Sequence, residues 1–136
     1  MSIVFDNLLI LKDKFFEIPA VKTSKIGIEA NITPEDYPIV RIVPSIIRRT
    51  DSVTRATELL IYFGTPIYEA EDGLEAIYEG LLNLEQAIIL ALQGNGFLIK
   101  YLDTITDEDR IEHYKLFAVR AEMHTKDSCS NSDLSA

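Results

Sequence analysis

A group of acidic side chains could form a metal site, because carboxylate oxygens are preferred calcium ligands. Asp103, Asp107, Glu108 and Asp109 lie close together along the chain. A calcium loop also needs a glycine at its sharp turn and oxygen ligands at a defined spacing, which this segment lacks. The stretch from Thr106 equally fits a helix cap followed by a short acidic turn. We therefore expect no metal site at these carboxylates.

Two histidines and one cysteine are the other groups that could bind a metal or catalyse a reaction. His113 and His124 lie near opposite ends of a predicted strand, where each residue adds about 3.3 Å, so one subunit cannot bring them together. Cys129 is the single cysteine and lies in a polar tail, so zinc patterns and an internal disulfide are excluded. Phosphate loops, nucleophile elbows and dinucleotide-binding motifs are absent from the sequence. The sequence thus predicts a protein that is not an enzyme and uses no cofactor or metal.

Arginines form the one basic cluster of an acidic chain, whose formal net charge is -9. Arg48 and Arg49 are adjacent, and Arg41 and Arg55 lie nearby. The overall charge argues against non-specific binding to DNA, RNA or anionic lipid. The cluster itself fits a solvated hairpin tip or an arm that contacts the acidic surface of a neighbour. Phosphate contact is the weaker interpretation, because no aromatic platform is interleaved with the arginines.

One small domain must position these groups, since 136 residues fit a single domain. We expect residues 1–126 to form it and residues 127–136 to be a disordered polar tail. The chain start lacks a basic leader region and the longest apolar run is too short to cross a bilayer. These features predict a protein kept in an aqueous, reducing compartment without a membrane partner.

Hydrophobic periodicity divides the domain into helices and strands. Helices are predicted over residues 3–17 and 74–93, and strands over 24–30, 39–43, 54–64, 97–102 and 113–123. This α-β-β-β-α-β-β order predicts an α+β fold, with a mainly antiparallel sheet and the helices packed on one face. Pro44 ends the second strand or marks a bulge, and Gly94 supplies a left-handed helix stop.

Two surfaces follow from this pattern of elements. The second and third strands, with their connecting segment, form a long hairpin whose tip extends beyond the body of the domain. The sheet face away from the helices is also rich in Leu, Tyr and Phe, and it is short of cover from the chain itself. An uncovered apolar face predicts contact with another subunit.

The chain resembles the tail terminator proteins of long-tailed bacteriophages, which are also called minor tail or tail completion proteins. The resemblance runs from residue 3 to about residue 126 and lies in the order of the elements. It also lies in three local sequence patterns: the strand at residues 58–64 after an Arg-bearing hairpin, the amphipathic helix at residues 77–82 and the closing strand at residues 116–122.

The resemblance implies a homohexameric ring that caps the finished tail tube, ends tube polymerisation and presents a surface for joining the head. The implied partners are other copies of the chain, the tail tube protein and a head-completion or connector protein. DNA would pass through the ring without specific binding. The implied location is the tail-neck region of the virion, after assembly in the host cytoplasm. Contacts between subunits or with the tube are expected at Ile46, Ile47, Arg48, Arg49, Asp107, Glu108 and Asp109.

Alternatives of other classes remain open at this point. A head-tail connector or neck protein would bind the portal side rather than the tube. A small dimeric α+β module could use the uncovered sheet face for a dimer and a ligand or regulatory pocket. A small enzyme using scattered carboxylates is the third alternative, although nothing singles out one catalytic pair.

Overall fold

The order of elements in the computed structural model is the predicted one. The structure describes residues 2–27, 38–66, 73–106 and 114–126. The elements are α1 (Ile3–Phe16), β1 (Thr23–Ile26), β2 (Ile39–Arg49), β3 (Thr54–Pro66), α2 (Leu74–Ala91), β4 (Leu98–Ile105) and β5 (Tyr114–Lys126). The predicted tail and part of the first predicted strand, residues 28–30, lie outside the described residues.

Local sequence signals account for the ends of both helices. The Ser2 side chain accepts a hydrogen bond from the backbone N–H of Phe5 and thereby caps α1. α2 ends at Ala91 with Leu92 as its C-cap, and Gly94 follows two residues later with a φ of 73°, in the left-handed region that glycine tolerates best. The helix stop predicted at Gly94 is therefore confirmed.

The strands form one five-stranded mixed sheet in the order β1-β2-β3-β5-β4. β1 and β2 run parallel, and the other three pairs of neighbours run antiparallel. The fold is thus α+β, as predicted. β3 and β5 are the central strands, paired from Thr54 opposite Lys126 to Pro66 opposite Tyr114.

Both helices pack on the same face of the sheet, which places the core there. The buried residues of this face come from both helices and from the strands: Val4, Leu8, Leu11, Phe15, Ile77, Leu81, Leu84, Ile88, Val40, Ile42, Leu59, Ile61, Phe63, Phe117, Val119, Ala121 and Met123. Phe117 lies at the centre, with ring centroids 5.7 Å from Phe63 and 5.8 Å from Tyr78. The sheet face opposite the helices is called the open face below.

β2 is longer than predicted. The prediction ended the strand near Val43, but β2 continues through Pro44 to Arg49 with a register shift between Pro44 and Ile46. The bulge alternative for Pro44 is therefore the right one. Proline is tolerated there because β1 pairs with β2 only as far as Ile42, so β2 is an edge strand of the described sheet beyond that point.

The β2–β3 hairpin does not project as an isolated arm. β5 runs beside β3 along its whole length, so that Lys126 lies opposite Thr54 at the base of the hairpin turn. β4 extends the sheet further, with Leu98 opposite His124. The prediction that the hairpin tip extends beyond the body of the domain is therefore wrong. The tip is one corner of a wider sheet.

Candidate interaction surfaces

Residues 45–49, called the distal segment of β2, form an exposed strip at one edge of the described sheet. Ile46 and Ile47 are 46% and 49% exposed. Their side chains point to opposite faces of the sheet, because Ile46 pairs with Glu58 on the open face and Ile47 with the buried Thr57 on the helix side. The predicted contact residues Ile46, Ile47, Arg48 and Arg49 are thus all on the surface.

The turn that follows the distal segment is held by hydrogen bonds. One carboxylate oxygen of Asp51 accepts from the backbone N–H groups of Val53 and Thr54, both at 2.8 Å. The bond from Val53, with those from Thr54, holds the pKa of Asp51 below its usual range. Thr50 closes the turn through its N–H to the carbonyl of Thr54 at 3.0 Å. The end of this strand pair is therefore an ordered turn.

The predicted cluster of four arginines does not form. Arg48 lies on the open face, whereas Arg49 lies on the helix side, opposite Arg55. Arg41 is buried near the other end of β2 and donates to the carbonyl oxygen of Gly27 at 3.2 Å. Sequence proximity misled the prediction because adjacent strand residues face opposite sides of a sheet.

Arg120 organises the open face on the β4 side. Its guanidinium donates two hydrogen bonds to the carboxylate of Asp103, at 2.7 and 2.9 Å, and lies 3.8 Å from Glu58. The two-pronged bond lowers the pKa of Asp103 and raises the pKa of Arg120 above its usual value. Asp103, a candidate cation ligand from its position among acidic residues, is paired with Arg120 instead.

A second ion pair continues this arrangement towards β2. Arg48 lies 3.1 Å from Glu122, whose other oxygen lies 3.2 Å from Nε2 of His124. Together with Arg120, Asp103 and Glu58, Arg48 and Glu122 form a ladder of charged side chains across the open face, called the charged ladder below. The expectation of an uncovered apolar face is therefore wrong for this region, and the exposed apolar residues of the sheet lie at its margins on β2 and β4.

β4 is the second exposed margin of the sheet, and none of the predicted contact residues lies on it. Leu98 is 65% exposed and Ile105 is 38% exposed, and both lie on the open face. Tyr101 and Leu102 between them are also exposed. The predicted strand ended at Leu102. A register shift between Tyr101 and Asp103 makes Leu102 an extra residue, which breaks the alternation of side chains between the two faces of the sheet. The sequence offered no signal for this edge, because the exposure of Leu98 and Ile105 depends on which strands are neighbours in the sheet.

The described residues contain no group of three or more His, Cys, Asp or Glu side chains arranged to hold a metal ion. Within the same residues, none of the helices is both long and apolar enough to cross a membrane. Asp107, Glu108 and Asp109, which were predicted to lie at a contact, are outside the described residues, as are His113 and Cys129.

Comparison with known proteins found no matching family model and no matching curated protein. The chain's own surfaces therefore supply the evidence for function: the distal segment of β2, the charged ladder and the edge formed by β4.

Proposed function

We propose that the chain is a structural protein of a bacteriophage tail that assembles into a ring. The ring caps the tail tube, ends tube polymerisation and presents the surface that joins the head. This proposal rests on the resemblance of the chain to tail terminator proteins and on the α-β-β-β-α-β-β order that the fold carries.

The exposure of the distal segment of β2 is the observation that most directly supports self-assembly. Two half-exposed isoleucines and two exposed arginines stand on a strand edge that no described element covers. Burial of the isoleucine side chains against a partner would stabilise the contact, and the arginines would favour a partner surface of opposite charge. An acidic protein such as this one supplies that surface on its own neighbouring copy. A contact between two different surfaces, repeated by rotation, closes into a ring.

The negative charge of the chain fits a ring through which DNA passes. A lumen lined with carboxylates repels the phosphate backbone and leaves the DNA free to slide. No catalytic step, cofactor or metal is part of this function.

Assembly of the purified chain is the first test. We expect rings in electron micrographs and a hexamer by light scattering, either in solution or at the ends of tubes of the tail tube protein. Replacing Arg48 and Arg49 by Glu should abolish the rings, because the segment would then meet an acidic neighbour with like charge. Lys22→Glu with Lys25→Glu is the matched control: it makes the same change of charge at exposed lysines elsewhere and should leave rings intact.

Tail assembly without the protein is the second test. Tubes should then exceed their normal length, because nothing ends polymerisation. Tubes of normal length with unjoined heads would overturn the capping role and favour the connector alternative. A protein that forms no ring at any concentration, and has no effect on tube ends, would refute the proposal as a whole.

A further inference from the structure

β4 is an edge that is complementary to itself. Among the described strands, β4 has a neighbour on one side only, β5, and its outward margin carries exposed apolar residues. We propose that β4 pairs antiparallel with β4 of a second copy about a two-fold axis, so that the two sheets become one. The axis passes between Tyr101 and Leu102.

The bulge in β4 makes this pairing possible. In an unbroken strand, side chains alternate between faces, so residues separated by an odd number of positions lie on opposite faces. A two-fold axis between adjacent residues would then place unlike faces opposite each other. The bulge at Leu102 shifts the alternation by one residue. Lys100 and Asp103 therefore share the open face, since their β5 partners are Glu122 and Arg120.

The resulting register matches side chains on both faces of the joined sheet. On the open face, Lys100 lies opposite the Asp103 of the second copy, and symmetry makes this ion pair twice. Leu98, which is more exposed than any other large apolar side chain that the structure describes, lies opposite Ile105 of the second copy, again twice. Opposite charges and apolar residues that face each other across strands stabilise the pairing.

Other registers lose these matches. A slip by one residue places side chains from opposite faces against each other. A slip by two, in either direction, separates Lys100 from Asp103. In the proposed register, Asp103 keeps its bonds to Arg120, because a carboxylate has acceptor sites for several donors.

This pairing goes beyond the proposed ring and does not depend on it. A two-fold contact closes after two copies, whereas a ring repeats a contact between two different surfaces. The ring is assigned to the distal segment of β2, which lies at the opposite edge of the sheet from β4. Rings without dimers, or dimers without rings, would therefore separate the two proposals.

Charge exchange tests the register. Lys100→Asp places Asp against Asp twice, and Asp103→Lys places Lys against Lys twice, so each variant alone should dimerise at least about tenfold more weakly. Mixing the two variants restores both opposite-charge pairs and should recover the dimer in sedimentation or light scattering. Lys25→Asp, at an exposed lysine of β1, is the control and should leave dimerisation unchanged. Circular dichroism should show that each variant is folded.

Cross-linking tests the same register independently of charge. In a Cys129→Ser background, a Leu98→Cys chain mixed with an Ile105→Cys chain should form a disulfide between copies. Directly opposed Cβ atoms lie about 4.5–5.5 Å apart, so a small shift of the paired strands brings them to the about 3.5–4.5 Å that a disulfide spans. Leu98→Cys alone should not cross-link to itself, since the two positions would be about 23 Å apart along the strand direction. A monomeric wild-type chain, equal dimerisation of all the charge variants, or efficient cross-linking of the Leu98→Cys chain to itself would overturn the proposal.

Discussion

Phe117 should be among the most sensitive positions of the fold, because it joins the centre of the sheet to α2. Its ring is fully buried and contacts Phe63 edge-on at 5.7 Å and Tyr78 at 5.8 Å. Phe117→Ala removes an entire buried ring and leaves a cavity between sheet and helix. Such truncations cost about 3–5 kcal/mol. The aromatic contacts, worth about 0.5–1.5 kcal/mol, place the expectation in the upper half of that range.

Urea unfolding followed by circular dichroism measures this loss. The midpoint should fall while the slope of the free energy of unfolding with urea stays constant, because the exposed surface is nearly unchanged. Phe16→Ala is the matched control: Phe16 is 59% exposed on α1, so its removal should change stability by no more than about 0.5 kcal/mol. A loss below about 1.5 kcal/mol for Phe117→Ala, or equal losses for both variants, would refute this account of the core.

Three further predictions concern single positions. At Gly64 an added Cβ would overlap the backbone of β5, so Gly64→Ala should lower the free energy of unfolding by about 1–3 kcal/mol. Gly80 lies in open space on α2, so Gly80→Ala should raise the free energy of unfolding by about 0.5–1 kcal/mol in the same urea experiment. Thr57 is fully buried and its hydroxyl has no hydrogen-bond partner among the described residues, so Thr57→Val should stabilise by about 1 kcal/mol in urea; a loss would contradict this. Because the pKa of Asp103 is lowered in the folded protein, its contribution to stability is complete above its ordinary value of 3.8 and disappears as the pH falls through the lowered pKa. Thermal melts of the wild type and of Asp103→Asn should therefore differ at neutral pH and converge in acid, and a constant difference would exclude the Arg120 pairing as its cause.

The helices were the most predictable part of the chain, because hydrophobic spacing and end signals agree there. α1 follows the prediction to within one residue, and Gly94 stops α2 in the conformation expected of it. The order of the strands along the chain was also predictable. Their neighbours in space were not, since β5 enters the sheet between β3 and β4.

Strand lengths and surface chemistry could not be read from local pattern. Pro44 was compatible with a strand end or a bulge, and only the structure shows that β2 continues past it at a bulge on the sheet edge. The bulge in β4 likewise hid Asp103 and Ile105 outside the predicted strand. The partner of Arg120 is set by cross-strand register, which depends on residues far apart in sequence. The charged ladder was therefore invisible until the strands were placed side by side.

The position of that ladder constrains how copies of the chain can associate. Stacking another protein on the open face would remove the ion pairs of Arg120 and Glu122 from water, and desolvation of charges offsets much of the gain from contact. Strand edges present backbone hydrogen-bonding groups, and here they also carry the exposed apolar residues of the sheet. Association should therefore extend the sheet sideways, through the distal segment of β2 in a ring and through β4 in a two-fold pair, and leave the ion pairs of Arg120 in contact with solvent. Hydrogen exchange of the assembled protein would show this as protection along β2 and β4, and a face-to-face complex would instead exclude solvent from the side chains of the ladder.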